Sequence, residues 1–228
     1  MRIFFNQLKK KTRFAEATVI LNAKSGTRTI IYNPGQQDCL DCNEFIAAVK
    51  DKKYSWIHFE GRANVKEMLI WMKNKRSNGR GDGISLEIEK PNETLKSLMF
   101  HAINFKLIDV LFVSKDVSMY LGAKSLKEAV KLFKNYDLHQ IMVIFTWADQ
   151  GAAGIDINGQ EVFVSAAAST IDGIVDTCGA GDTFTSGVIS SLLRDFNLET
   201  AMQTGCIYAA KKIQQKGLKN LHLLQQQR

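Results

Sequence analysis

Residues 176–184 read DTCGAGDTF, and this stretch is the most informative part of the sequence. The residues after it place apolar side chains on one helical stripe, so a helix is predicted to begin near Ala180 or Gly181. Two glycines at a helix start allow the backbone to approach a ligand closely. The free N–H groups there lie at the positive end of the helix dipole. The stretch therefore predicts an anion site suited to a transferring phosphoryl group.

Asp182 lies in the same turn, where its carboxylate would repel a phosphate unless it holds and deprotonates an attacking hydroxyl group. Phosphoryl transfer uses this combination of an oriented nucleophile, a cradle for negative charge and a base. The residues alone leave a second interpretation open, in which Asp182 caps a glycine-rich turn. A P-loop is excluded because GxxxxGK[ST] is absent, and Phe184 replaces the third glycine of a dinucleotide-binding GxGxxG motif.

Working outward from this stretch, the chain alternates strands and helices between about residues 56 and 145. Continuous apolar strands between amphipathic helices predict an α/β fold with a parallel sheet covered on both faces. Ligands of such sheets bind at the carboxyl ends of the strands, so the loops after Phe59, Glu89, Val113 and Phe145 are candidates for the site. Strands are predicted at 56–61, 84–89, 110–113 and 141–145, and helices at 43–50, 65–75, 93–106 and 125–136.

Residues 15–32, AEATVILNAKSGTRTIIY, predict a β-hairpin. Strand-forming residues at 18–21 and 29–32 flank the turn-rich connector at 22–26.

Composition excludes several classes of protein. The 228 residues are 45% apolar and 23% charged, as in a soluble globular protein of one large or two small domains. No stretch approaches 18 apolar residues, so a membrane span is not expected. Residues 1–13 lack the apolar core of a secretory signal. Four cysteines do not make a disulfide framework, so a cytoplasmic location is expected.

The formal charge of +7 is spread over small clusters without an interleaved aromatic pattern. Solvated faces with some attraction for an anionic ligand explain it best, and neither a nucleic acid nor a membrane is expected as a partner. A basic nucleic-acid binder stays an alternative that rests on net charge alone.

DTCGAGDTF resembles the C-terminal signature of the ribokinase-like (PfkB) sugar kinases. Other collinear segments resemble the same family, among them WIHFEGR, LEIEKPNE, VLFVSKDV and GCIYAAKK. The resemblance implies a ribokinase-like α/β fold, with a mostly parallel sheet flanked by helices on both faces and part of a small β lid. It also implies an ATP-dependent carbohydrate kinase. Within the family the chain is most similar to the branch that phosphorylates a ketohexose, converting fructose to fructose 1-phosphate.

The resemblance gives the motif residues specific roles. Asp182 matches the catalytic base, which also contacts the sugar hydroxyl. Gly179, Ala180 and Gly181 match the anion hole, which also binds ATP. Arg28 matches an arginine that reaches the nucleotide phosphates, and its fork suits phosphate oxygens.

A second group of residues matches the nucleotide-binding part of the family. Ala148, Asp149, Gln150 and Gly151 match a loop that passes close to ATP, although Asp149 stands where glutamate is expected. Cys206 matches the lining of the adenine pocket, and a small buried core cysteine is the alternative.

Lys115 is a candidate phosphate contact, with a solvated lysine as the equal alternative. The implied cofactors are ATP and Mg²⁺ carried by ATP, with K⁺ as a further candidate, and no protein-held metal is expected. The implied partners are the sugar, fructose or a related ketose, and a second copy of the chain bound through the lid.

The sequence divides into an unmatched segment at 1–14, the lid hairpin at 15–32 and the α/β domain at 33–228. Family members begin with a sugar-gripping aspartate strand, lid strands and a Gly-Gly-Asn helix start, none of which is found in this sequence. Two hypotheses follow: a sugar kinase, or an inactive nucleotide-binding or dimerising relative that lacks the sugar-binding part.

Overall fold

The computed structural model describes residues 15–21, 28–33, 35, 40–76, 83–166 and 173–219. The strands are β1 (Glu16–Leu21), β2 (Arg28–Asn33), β3 (Trp56–Glu60), β4 (Gly83–Ile88), β5 (Val110–Val113), β6 (Met142–Thr146), β7 (Ala152–Ile155) and β8 (Glu161–Val164). The helices are α1 (Cys42–Val49), α2 (Val65–Lys75), α3 (Glu93–Asn104), α4 (Lys115–Tyr120), α5 (Leu126–Phe133), α6 (Ala180–Leu192) and α7 (Leu198–Ile213).

Strands β3 to β8 form one six-stranded sheet in sequence order. β3, β4, β5 and β6 are parallel, whereas β7 and β8 are antiparallel to their neighbours. The predicted parallel sheet is confirmed, and the predicted strands and helices agree with the structure to within a few residues. The antiparallel pair was not predicted, because β7 consists mainly of Ala and Gly, which are weak strand formers, and β8 is a four-residue strand that is not continuously apolar.

The two faces of the sheet carry separate apolar cores. Side chains of β5 alternate between them: Leu111 and Val113 join the cluster formed with α1, α2, α3 and α5, while Val110 and Phe112 join the cluster formed with α6 and α7. All four residues are buried, which explains why this strand is apolar throughout. The predicted covering of both faces by helices is therefore confirmed.

On the sheet face that α6 and α7 cover, the side chains of β3 and β4 are mostly polar. Strand alternation puts Trp56, His58 and Glu60 of β3 beside Ser85 and Glu87 of β4, while the intervening residues of β4 are buried in the other core. A polar surface at the carboxyl ends of parallel strands is where a ligand site is expected.

β1 and β2 pair antiparallel as a separate two-stranded sheet, with Val19 opposite Ile30 and Ala17 opposite Tyr32. The two strands agree with the predicted hairpin, whose connector at 22–26 lies outside the described residues. Among the described residues, no helix is long and apolar enough to cross a membrane.

Candidate active site

A cleft of about 480 Å³ joins the carboxyl ends of β3 and β4 to the start of α6. Three of the residues that line it were predicted site residues, Gly179, Gly181 and Asp182. The sheet contributes four further residues, which are His58, Glu60, Glu87 and Glu89.

The start of α6 has the geometry of an anion site. Gly179 precedes the helix with a φ of +81°, a left-handed conformation that favours glycine. Among the described residues, no side chain caps this helix, whereas α1, α3, α4, α5 and α7 each begin with a side-chain cap. The Thr183 N–H donates to the Gly179 carbonyl and the Ala180 N–H donates to the Thr177 carbonyl at 3.3 Å. Within the described structure, the N–H groups of Gly181 and Asp182 are therefore left for a ligand.

Asp182 lies in this first turn, and its side chain is exposed to the cleft. Its position beside unpaired N–H groups suits a base that takes a proton from a hydroxyl while the N–H groups hold a phosphoryl group. Gly181 keeps this entrance open, because a Cβ added there would meet no atom within 4 Å.

A hydrogen-bonded chain crosses the polar face of the sheet. The indole N–H of Trp56 donates to Ser85 Oγ at 2.8 Å, and Ser85 Oγ lies 2.8 Å from His58 Nδ1. Since Ser85 accepts from Trp56, its own O–H can donate to Nδ1, which leaves the His58 proton on Nε2. Nε2 can then donate to Glu87 Oε2 at 3.3 Å, and this fixes the direction in which the carboxylate points.

The three glutamates of the cleft were missed as site residues, although Glu60 and Glu89 lie at or beside the starts of two loops that were predicted to be part of the site. Arg62 Nη2 lies 2.5 Å from Glu60 Oε1 in an ion pair. The Ser114 hydroxyl donates a hydrogen bond to the Glu89 carbonyl at 2.7 Å. The missed signal was alternation: polar residues at every second position near the ends of two neighbouring parallel strands share one face.

The loop between β6 and β7 contains the predicted nucleotide-binding residues Ala148, Asp149 and Gln150, all exposed. Trp147 is buried beneath it, and Lys115 Nζ lies 5.8 Å from the centre of the Trp147 ring. Two predicted nucleotide contacts from different parts of the sequence are thus brought to one edge of the sheet.

Gly151 closes this loop with a φ of +92°. A Cβ there would collide with the Val164 carbonyl and lie 2.6 Å from the Ala166 amide nitrogen. The backbone therefore turns between β6 and the antiparallel β7 only because the residue is glycine.

The predicted nucleotide contacts Cys206 and Arg28 lie in other parts of the structure. Cys206 is buried in the core cluster with Phe184 and Met202, and burial raises the pKa of its thiol to about 11. Arg28 begins β2, and its side chain lies outside the described part of the structure. Within the described ranges, no three His, Cys, Asp or Glu side chains are grouped as a metal site.

Comparison with known proteins indicates a family of carbohydrate kinases. The model for the pfkB family carbohydrate kinase matches residues 4–224. The match begins within residues 1–14, where the sequence analysis found no resemblance.

Mouse (Mus musculus) ketohexokinase is 32% identical over 198 residues, which are 85% of this chain and 63% of the mouse protein. The ATP-dependent 6-phosphofructokinase of Thermoanaerobacterium thermosaccharolyticum is 33% identical over 110 residues, 48% of this chain and 33% of that protein.

Among solved structures, a probable sugar kinase from Rhizobium etli CFN 42 superposes with a TM-score of 0.75 at 20% identity. The superposition covers 93% of this chain and 65% of the other. The chain thus has a ribokinase-like fold and spans somewhat under two thirds of the length of the ketohexokinase that it matches.

Proposed function

The chain belongs to the pfkB family of carbohydrate kinases, and on that premise we propose that it transfers a phosphoryl group from ATP to the 1-hydroxyl of fructose or a related ketose. The single observation that carries the proposal is the cleft in which the Asp182 carboxylate and the uncapped start of α6 face the ends of β3 and β4.

The chemistry divides between the two sides of this cleft. Asp182 orients the sugar hydroxyl and accepts its proton as the oxygen attacks phosphorus. The anion hole at Gly179, Ala180 and Gly181 holds the negative charge of the group in transfer, with the Gly181 N–H among its donors. Helix backbone donors need no reorganisation during the step, since the helix fixes their direction.

ATP supplies the phosphoryl group when bound. Arg28, Lys115 and residues 148–151 would hold it, and Cys206 would line the pocket of its base. Lys115 supports this role by its distance of 5.8 Å from the Trp147 ring, since an ammonium group there lies beside the loop. Gly151 supports it by allowing a tight turn beside which residues 148–150 are exposed.

The acceptor is proposed to be an uncharged sugar. Glu60, Glu87 and Glu89 line the cleft together with Asp182. Carboxylates accept hydrogen bonds from sugar hydroxyls, but they repel a phosphate carried on the far end of the acceptor. This favours fructose over fructose 6-phosphate, the substrate class suggested by the phosphofructokinase among the relatives.

Two cations belong to the proposal. Mg²⁺ would enter with ATP and neutralise the charge in transfer, and the oxygen-rich cleft suits an ion that keeps most of its waters. A requirement for K⁺ rests on the family resemblance alone. Activity in KCl compared with equal NaCl tests it.

The proposed setting is a cytoplasmic homodimer joined through the β1–β2 hairpin. Part of one face of this hairpin is apolar, with Ala17 and Val19 opposite Tyr32 and Ile30. All four side chains are exposed, and a second hairpin would cover them.

The experiment that tests the proposed function is release of ADP from MgATP by the purified chain. It is run without sugar and with fructose, other ketoses, aldoses and fructose 6-phosphate. Calorimetry measures ADP binding in the same preparations. Release that depends on a neutral ketose supports the proposal. Bound ADP with no release for any sugar overturns the kinase activity and favours a nucleotide-binding relative.

A further inference from the structure

Lys212, in the last turn of α7, has an unusual setting. Its side chain is 1% exposed, and it is the one charged residue that is buried among those that the structure describes. Burying an ammonium group is costly unless oxygen atoms replace its water. The hydrogen bonds of this buried group must therefore offset the free-energy cost of burying it.

Oxygen atoms surround the ammonium group. Lys212 Nζ donates to Asp176 Oδ2 at 2.9 Å, to the Asp176 carbonyl at 2.8 Å and to the Gln215 carbonyl at 3.4 Å. The Asp176 carboxylate also accepts the N–H of Cys178 at 2.9 Å and of Gly217 at 3.3 Å. The hydrogen bond from Lys212, followed by those from the backbone, lowers the pKa of Asp176 to about 2, so this carboxylate is ionised at neutral pH.

The pair lies directly before the anion site. Asp176 opens the glycine-rich stretch, and the N–H groups of Val175 and Asp176 both donate to the Ile213 carbonyl at the end of α7. A Cβ added at Gly179 would lie 3.9 Å from Lys212 Cε. The Lys212 side chain thus reaches from α7 to Gly179, the residue that precedes α6.

Building on the proposed function, we infer that Lys212 is a positioning residue for phosphoryl transfer. Its ammonium group attaches residues 176–179 to the end of α7, so that the first-turn N–H groups of α6 face the cleft. Because Asp176 neutralises Lys212, the pair adds no net charge, and its effect on a bound anion comes through geometry.

The oxygen cage predicts a specific chemical rescue. Lys212→Ala removes the side chain beyond Cβ and leaves its oxygen acceptors without a donor. A small primary ammonium ion can occupy the vacated space and donate to these oxygen atoms. Propylammonium has the size of the missing part, whereas tetramethylammonium has the same charge but no N–H group. Lys212→Met keeps the volume and leaves no room for either ion. Lys211→Ala is the matched control, since Lys211 is the exposed neighbour in the same turn.

Three quantities are measured for the wild type and the three variants. They are the affinity for ADP, the hydrogen exchange of the amides of residues 177–182 and the melting temperature. Both Lys212 variants are expected to bind ADP about tenfold more weakly than the wild type, with faster exchange in this segment. Propylammonium is expected to restore most of the affinity of Lys212→Ala alone, and tetramethylammonium none. Lys211→Ala is expected to match the wild type.

Wild-type ADP affinity in both Lys212 variants would overturn the inference. So would a folded Lys212→Ala protein that propylammonium does not restore. Should that variant fail to fold, Lys212→Met decides, and unchanged exchange there would overturn the inference. A wild-type chain that binds no ADP refutes the proposed function instead, and the exchange rates still test the attachment by themselves.

Discussion

Ser85 Oγ lies 2.8 Å from His58 Nδ1, so that a fully buried hydroxyl of β4 holds the imidazole of a histidine at the edge of the cleft. Trp56 donates to the same oxygen, so the hydroxyl is held between the indole and the imidazole. The orientation of Glu87 therefore depends on a residue that does not reach the cleft itself.

Replacing this hydroxyl should affect the sugar more than the nucleotide. Ser85→Ala is expected to raise the KM for the sugar about tenfold, because His58 and Glu87 lose their fixed directions. The affinity for ADP should stay at the wild-type value. Steady-state kinetics and calorimetry measure the two quantities.

Ser191→Ala is the matched control, since Ser191 Oγ is buried without a hydrogen-bond partner within the described structure. Its loss is expected to leave KM unchanged. Equal effects of the two variants on KM would contradict a role for the Ser85–His58 contact.

The Asp182 carboxylate should be required for chemistry rather than for binding. Asp182→Asn keeps the shape but cannot accept a proton, so kcat is expected to fall about 10³-fold with little change in ADP affinity. Asp195→Asn serves as control, because Asp195 is exposed near the other end of α6 with a φ of +59° that asparagine tolerates. A variant at position 182 with more than a tenth of wild-type kcat would refute the assignment.

Gly151 should be intolerant of any side chain. Gly151→Ala combines a φ of +92° with a collision against backbone atoms, and it is expected to lower the free energy of unfolding by more than about 2 kcal/mol. Gly159→Ala has a φ of +81° with open space around it, so its cost is expected to be about 1 kcal/mol. Urea unfolding of both variants gives the comparison, and equal losses would show that the collision is relieved.

The Asp176–Lys212 pair should make stability depend on pH in the acid range. The folded-state pKa of about 2 lies below the ordinary 3.8, so the unfolded chain takes up the proton first. The contribution is complete above about pH 4, falls between pH 4 and pH 2 and is absent below. Urea unfolding at a series of pH values should therefore give a shallower slope for Asp176→Asn across this range. The same slope in both proteins would argue against the pair as its source.

The apolar face of the hairpin should carry the dimer. Ile30 is 50% exposed opposite Val19, and Ile30→Lys is expected to shift the chain to monomer at unchanged melting temperature. Thr29→Lys puts the same charge on the other face and should leave association unaltered. Analytical ultracentrifugation gives the oligomeric state, and a monomeric wild type would dismiss this contact.

Much of the architecture follows from local patterns. The apolar run at Val110–Val113 predicts a strand buried on both sides, and the structure buries all four residues. The glycines at 179 and 181 predict a helix start open to a ligand, and α6 begins at Ala180. β7 and β8 escaped prediction because β7 consists mainly of Ala and Gly, which are weak strand formers, and the four residues of β8 are not continuously apolar like those of β5.

The sequence by itself determined the family through the resemblance of DTCGAGDTF and the collinear segments. It also determined the α/β class and the glycine-rich helix start with Asp182 in its first turn, because these depend on periodicity and on backbone freedom within a few residues. Only the tertiary structure decided which carboxylates share the cleft with Asp182, and which buried cation holds the loop before it. Lys212 lies 36 residues from Asp176 along the chain, and Glu87 lies 29 residues from His58. Such contacts depend on strand order, register and helix packing, which no short stretch of sequence contains.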